Sequence, residues 1–144
     1  MIRINRLTDY AVLVLAELLR AEGPHTVSQI ATCTSIPLPT VAKLLKILSQ
    51  SGLVTSYRGV TGGYSLRHPA ATITVADIIE AMEGPIAITT CIEGSDKICR
   101  IESLCPMQGH WNRINHAIRR VLEDVSLNDI AISWSSCTGK EEMT

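Results

Sequence analysis

A mainly α-helical winged helix-turn-helix, with an appended long dimerisation helix and a cysteine loop, is the fold class this sequence predicts. Three observations carry it. Three amphipathic segments with start and stop signals fill the first 52 residues, and a glycine-centred hairpin pattern follows at 53–67. A long apolar stripe then returns at 107–125, beyond a stretch that has neither helical nor strand period.

The first helix is expected from a Thr8 cap to about Glu22, with Asp9 in its first turn. Val12, Leu15, Ala16 and Leu19 recur there at helical spacing. Gly23-Pro24 ends it. Thr26 and Gln29 have the spacing of a capping box and open a short second helix to Thr34. A turn over 35–38 leads to Pro39, placed at the first position of a third helix, where its missing N–H costs nothing. Val41, Leu44, Leu45 and Leu48 give that helix one apolar face, and Gly52 marks its end.

Residues 53–58 and 64–67 read as strands joined by Gly59-Val60-Thr61-Gly62-Gly63, a hairpin connection. Residues 73–83 form another capped helix, stopped by Gly84-Pro85. The aperiodic stretch 86–106 holds three cysteines. Over 107–125, Trp111, Ile114, Ile118, Val121, Leu122 and Val125 share one stripe with no obvious partner in the chain. This points to a dimer interface, the alternative being packing onto the chain's own winged helix. Ser126 to Ile130 reads as a short capped turn.

The expected organisation is therefore a DNA-binding winged helix over 1–70 and a connecting helix over 71–84. A cluster-binding loop over 85–106, a dimerisation helix over 107–130 and a mobile tail over 131–144 follow.

Composition narrows the class. Apolar residues make up 46% of the chain and aromatics 3%, with no Phe, so the core must be built from Leu, Ile, Val and Ala. The uncharged run from Tyr10 to Ala16 is far shorter than the roughly 20 residues a membrane span needs, and no signal-peptide pattern is present. A cytoplasmic protein without membrane contact is expected. The net charge of -1 hides an asymmetry: residues 1–68 carry seven Lys/Arg against three Asp/Glu, and the remainder six against eleven. The first part is thus suited to a polyanion. No phosphate loop, nucleophile–base pair or paired catalytic carboxylates is found, so an enzyme is not expected.

The outward face of the third helix presents Thr40, Lys43, Lys46 and Gln50, opposite its leucines. Lysines there can donate to guanine edges or to phosphates. Ser28 and Gln29 at the start of the second helix, and Pro39, complete the expected contact with double-stranded operator DNA. At the hairpin tip Arg58 supplies a cation, while Gly59, Gly62 and Gly63 allow close backbone approach.

Five cysteines, an odd number in a reducing compartment, argue against a disulfide framework. Cys91, Cys99 and Cys105 are separated by seven and then five residues, inside a loop. Thiolates are soft ligands for an iron–sulfur cluster or zinc, and the absence of a close Cys pair disfavours structural zinc. The fourth ligand is open between His110, five residues after Cys105, and Asp9, from the first helix of the same or a partner subunit. His110 otherwise reads as a helix-surface residue and Asp9 as a first-turn acid favoured by the helix dipole. Cys33 is expected to be a buried thiol, Cys137 to be capable of an adventitious disulfide, and His25, His68 and His116 to be ordinary surface or capping residues.

Leu7-Thr8-Asp9-Tyr10-Ala11, then Gly52-Leu53-Val54 leading to Arg58-Gly59 and Gly62-Gly63-Tyr64, and then the cysteine trio, occur in one order. Over about residues 1–130 this resembles the iron–sulfur and nitric-oxide-responsive winged-helix regulators that include IscR and NsrR. His110-Trp111-Asn112-Arg113-Ile114-Asn115 is most similar to the regulators of the Suf cluster-assembly operon.

The resemblance implies a homodimeric repressor of iron–sulfur assembly genes that carries a 2Fe-2S cluster, with 4Fe-4S as the alternative. A nitric-oxide or redox sensor on the same ligands, and a zinc or cluster-free DNA-binding module, are the rival expectations. Two departures stand out. IscR-like proteins have five residues between the first two cysteines, and Gln108 occupies the position where their histidine is expected. The resemblance to NsrR, in which a first-helix aspartate is a ligand, keeps Asp9 beside His110.

Overall fold

A computed structural model describes residues 3–88, 107 and 109–131. Helix α1, Arg6–Arg20, starts before the expected cap: Asn5 Oδ1 accepts the Leu7 N–H at 3.0 Å. Thr8 instead lies inside the helix, 1% exposed, and its hydroxyl donates to Glu83 Oε2 at 2.8 Å. The expected Thr8 cap is thus replaced by Asn5, because burial commits the threonine to a distant carboxylate. The helix also stops short of Glu22, with Ala21 already extended.

Helix α2, Val27–Thr34, carries the expected capping box of Thr26 and Gln29. Ser35 then takes the left-handed conformation, φ 61°, which turns the chain sharply. Ile36 is buried beyond it, and α3, Leu38–Gln50, begins one residue earlier than expected, so Pro39 occupies its second position. That position is equally free of a helical acceptor. Val41, Leu44, Leu45 and Leu48 are all fully buried. Together with Leu15 and Ile30 they form the centre of the core, with α1 packed against both α2 and α3.

Strands β1, Val54–Tyr57, and β2, Gly63–Leu66, pair antiparallel in the register Val54↔Leu66 to Tyr57↔Gly63. His25 adds a one-residue rung on the other side of β2: its N–H donates to Tyr64 O at 2.9 Å, and its carbonyl accepts the Tyr64 N–H at 2.7 Å. The half-buried His25 is therefore a backbone partner of the wing rather than the ordinary surface or capping residue expected.

A short 3-10 turn, Ala70–Thr72, leads to α4, Val75–Glu83, capped reciprocally by Thr74 and Asp77. The expected long helix is α5, His110–Glu123, and a separate helix α6, Leu127–Ala131, follows it. Helix α6 returns to the winged helix. Leu127 is fully buried and its N–H donates to Ile73 O at 2.8 Å, and Arg20 Nη2 donates to Ala131 O. Ala131, assigned to the mobile tail from sequence, is the last residue of this packed helix. The rest of the expected tail, with Cys137, lies outside the described residues, as does most of the expected cluster loop. Helix α5 is tied to α4 by Arg119, whose Nη1 lies 2.5 Å from Glu80 Oε1 while its Nε donates to Glu123 at 2.8 Å. Among the described residues no helix is long and apolar enough to cross a membrane.

Candidate nucleic-acid interface and metal ligands

The inward leucines of α3 fix its opposite face by helical period alone, and the structure leaves Lys43, Lys46 and Gln50 exposed there, with Pro39 exposed and Thr40 half-buried at its start. Ser28 and Gln29 stand exposed in the first turn of α2. Gln29 is also part of the cap: its Oε1 accepts the Thr26 N–H at 2.8 Å, which leaves its amide NH2 for a ligand.

The wing tip extends beyond the body. Arg58 is exposed, Val60 fully so, and Tyr57 about half, whereas Tyr64 is packed against the core. The glycines divide by role. Gly59, at φ 102°, has open space around it. Gly62 is needed by the turn itself, because a Cβ there would strike the Tyr57 carbonyl oxygen, and its N–H donates to Gly59 O at 3.0 Å. Gly63 faces inward: a Cβ would lie 2.5 Å from the His25 carbonyl. Close approach to a duplex was the reason expected for all three glycines; for Gly62 and Gly63 the structure supplies a reason inside the fold.

Of the expected metal ligands, Cys91, Cys99 and Cys105 lie outside the described residues. Asp9 is exposed in the first turn of α1, and His110 is exposed as the first residue of α5. Neither side chain has a hydrogen-bond partner among the described residues. No three His, Cys, Asp or Glu side chains converge among those residues either. Among the described residues, the first turn of each of these helices thus presents a polar side chain without a competing bond.

Cys33 departs from expectation: it is half-buried and disulfide-bonded rather than a buried free thiol.

Sequence reasoning missed Asn115. It is 5% exposed, its Nδ2 donates to Ile86 O at 2.8 Å and its Oδ1 accepts the Ile88 N–H at 3.1 Å. The available signal was an asparagine in the middle of an otherwise amphipathic helix, a place the residue disfavours unless its side chain is occupied. An apolar groove of about 310 Å³ runs between Ile4, Ile79, Ile86, Ile88, Ile118 and Leu122.

A tight α2–α3 turn, a recognition helix with a basic outer face and a cationic wing define a winged-helix DNA-binding protein. Comparison with known proteins narrows the class. Residues 4–132 match the profile of Rrf2, described as iron-dependent transcriptional regulators, and the chain belongs to this family. Its members are regulators, not enzymes.

CymR of Bacillus subtilis, an HTH-type transcriptional regulator, is 31% identical over 131 residues, covering 90% of this chain and 89% of CymR. Protein rrf2 of Nitratidesulfovibrio vulgaris is 31% identical over 117 residues, covering 81% and 77% of the two chains. The solved structure of B. subtilis CymR, titled as the global cysteine regulator, superposes with a TM-score of 0.74 at 30% identity, covering 94% of this chain and 100% of CymR. T. potens IscR superposes with a TM-score of 0.66 at 27% identity, covering 90% and 85%. The neighbours thus include both an IscR and a cysteine regulator.

Proposed function

We propose that this regulator is a homodimeric repressor whose DNA affinity is set by an iron–sulfur cluster held by Cys91, Cys99 and Cys105, and that it controls iron–sulfur assembly genes. The observation that carries the reading is the order of parts around α5. In sequence the trio runs straight into that helix, and Ile114 and Val121 on its stripe stand 40% and 64% exposed, with Val125, 39% exposed, just beyond its end. Exposed apolar side chains in a row are the signature of a protein interface. A second copy placed on them couples the cysteine segment to the spacing of two DNA-reading faces.

In this reading Lys43, Lys46 and Arg58 draw in and position the duplex, while Thr40 and Gln50 face base edges. Asp9 or His110 completes the ligand set. When bound, the cluster supplies a group whose loss or oxidation reports iron and redox status. The chain's part is to convert that change into a movement of α5 relative to α4, across the Arg119–Glu80 pair.

The visible spectrum of protein purified without oxygen, read beside its iron and acid-labile sulfide content, tests the proposal. A brown sample with charge-transfer bands and both elements present supports it. A colourless sample with stoichiometric zinc contradicts it.

The Cys33 disulfide favours a second reading, a cluster-free thiol sensor. Loss of two free thiols on mild oxidation, together with altered DNA binding in protein that never held iron, would select that reading.

A further inference from the structure

We infer that Asn115 is the latch through which the cysteine segment acts on α5, a positioning residue rather than a ligand. The latch rests on the functional reading above but on a different observation. Asn115 is buried in α5, and its one amide group binds the Ile86 carbonyl and the Ile88 N–H together. The side chain thus does for 86–88 what a neighbouring strand would do. Because both bonds go to backbone, they set the path of the segment whatever side chains stand there.

Position gives the latch its meaning. Ile88 is three residues before Cys91 in the sequence, a span of at most about 11 Å between Cα atoms. His110 lies five residues before Asn115, about 7.5 Å up the helix axis. The amide therefore anchors the last described residue before the trio to the same helix end that presents His110. One turn further on, Arg119 holds α5 to α4 through Glu80. A pull on the segment reaches α5 at Asn115, between its N-terminal end and its tie to the winged helix.

An unpaired amide in this place would be costly, since buried polar groups without partners lose their hydration without compensation.

The test uses the full chain with Asn115→Ala and Asn115→Asp. Two quantities are read: hydrogen exchange at the Ile88 amide, and the ratio of DNA affinities of cluster-loaded and chelated protein, on a duplex that the wild type selects from random sequence. Ala is expected to speed Ile88 exchange about tenfold or more, with the amides of α1 and α3 unchanged, and to bring the affinity ratio to within about twofold of one. Asp keeps an acceptor for the Ile88 N–H but sets a second oxygen against the Ile86 carbonyl, so its Ile88 exchange is expected to fall between those of the wild type and Ala.

Unchanged Ile88 exchange in Ala, or a full affinity ratio despite faster exchange, overturns the inference. If the wild type holds no cluster, the functional reading fails on its own. Alkylation of the thiols by iodoacetamide then replaces chelation, and the same comparison of ratios supports or overturns the latch.

Discussion

Gly63 sits directly against the backbone of His25, so close that a Cβ at position 63 would lie 2.5 Å from the His25 carbonyl carbon and oxygen. The contact is what lets His25 and Tyr64 exchange two hydrogen bonds and join the wing to the turn before α2. The orientation of the wing relative to the helix-turn-helix thus depends on one missing methyl group.

Gly63→Ala is expected to destabilise the fold by about 2 kcal/mol or more, since it combines a backbone clash with φ 146°. Gly59→Ala meets only the cost of its positive φ, about 1 kcal/mol. Thermal melts of the two variants measure the difference. Equal melting temperatures would show that the His25 contact is not fixed.

On the recognition face, Lys43→Ala and Arg58→Ala should each weaken operator binding by about 1 to 3 kcal/mol. A residue that meets phosphate also lowers the salt dependence of log affinity by about one unit, whereas a base contact relaxes sequence preference. Titrations at several salt concentrations separate the two roles. Unchanged affinity in both variants would remove the docking of α3 and the wing on DNA.

Val121, 64% exposed in the single chain, can accept a charge without cost to the protomer. In a dimer joined along α5, Val121→Asp buries a carboxylate with no partner and should raise the dimer dissociation constant by about 100-fold or more. Sedimentation velocity reads this as a shift to monomer at unchanged helical content. A variant that remains as dimeric as the wild type places the interface elsewhere.

Asp129 closes α6 from its first turn. The Ser126 backbone N–H and hydroxyl both donate to its carboxylate at 3.0 Å, and these bonds, the backbone one foremost, lower its pKa from the ordinary 3.8. A pKa depressed by folding stabilises the native state above the unfolded value and ceases to do so as the pH falls through the folded one. The contribution is therefore complete at neutral pH and declines as the pH falls below 3.8 toward the lowered folded value. Asp129→Asn should reduce stability at neutral pH and show a shallower acid decline than the wild type, as melts across the acid range will report.

What could be read from the sequence was what is local. The capping box of Thr26 with Gln29 is a signal of spacing three and formed as expected, and the capped helix expected over 73–83 formed with a box of Thr74 and Asp77 at its start. So did the α3 face, because helical period alone puts Lys43 and Lys46 opposite Leu44 and Leu45. Thr8 misled for a long-range reason: two residues suited to capping stood three apart, and the choice between Asn5 and Thr8 was made by Glu83, 75 residues away. Asn115 bonds across 27 and 29 residues, and Gly63 answers to His25 across the wing, so neither role had a local pattern to display. Of the metal ligands expected from the thiol spacing, the structure describes only the two candidates for the fourth, both at helix starts.

If the condition of the cysteine segment governs DNA affinity, removing the cluster must change binding at a fixed operator. The equilibrium affinity of one anaerobic preparation for one selected duplex, measured at fixed salt before and after chelation, reads this. The expected change is about tenfold or more, equivalent to about 1.4 kcal/mol of coupling. Affinities that agree within about twofold, from a sample shown to have lost its colour and iron, would contradict such coupling, since that difference is worth well under 1 kcal/mol.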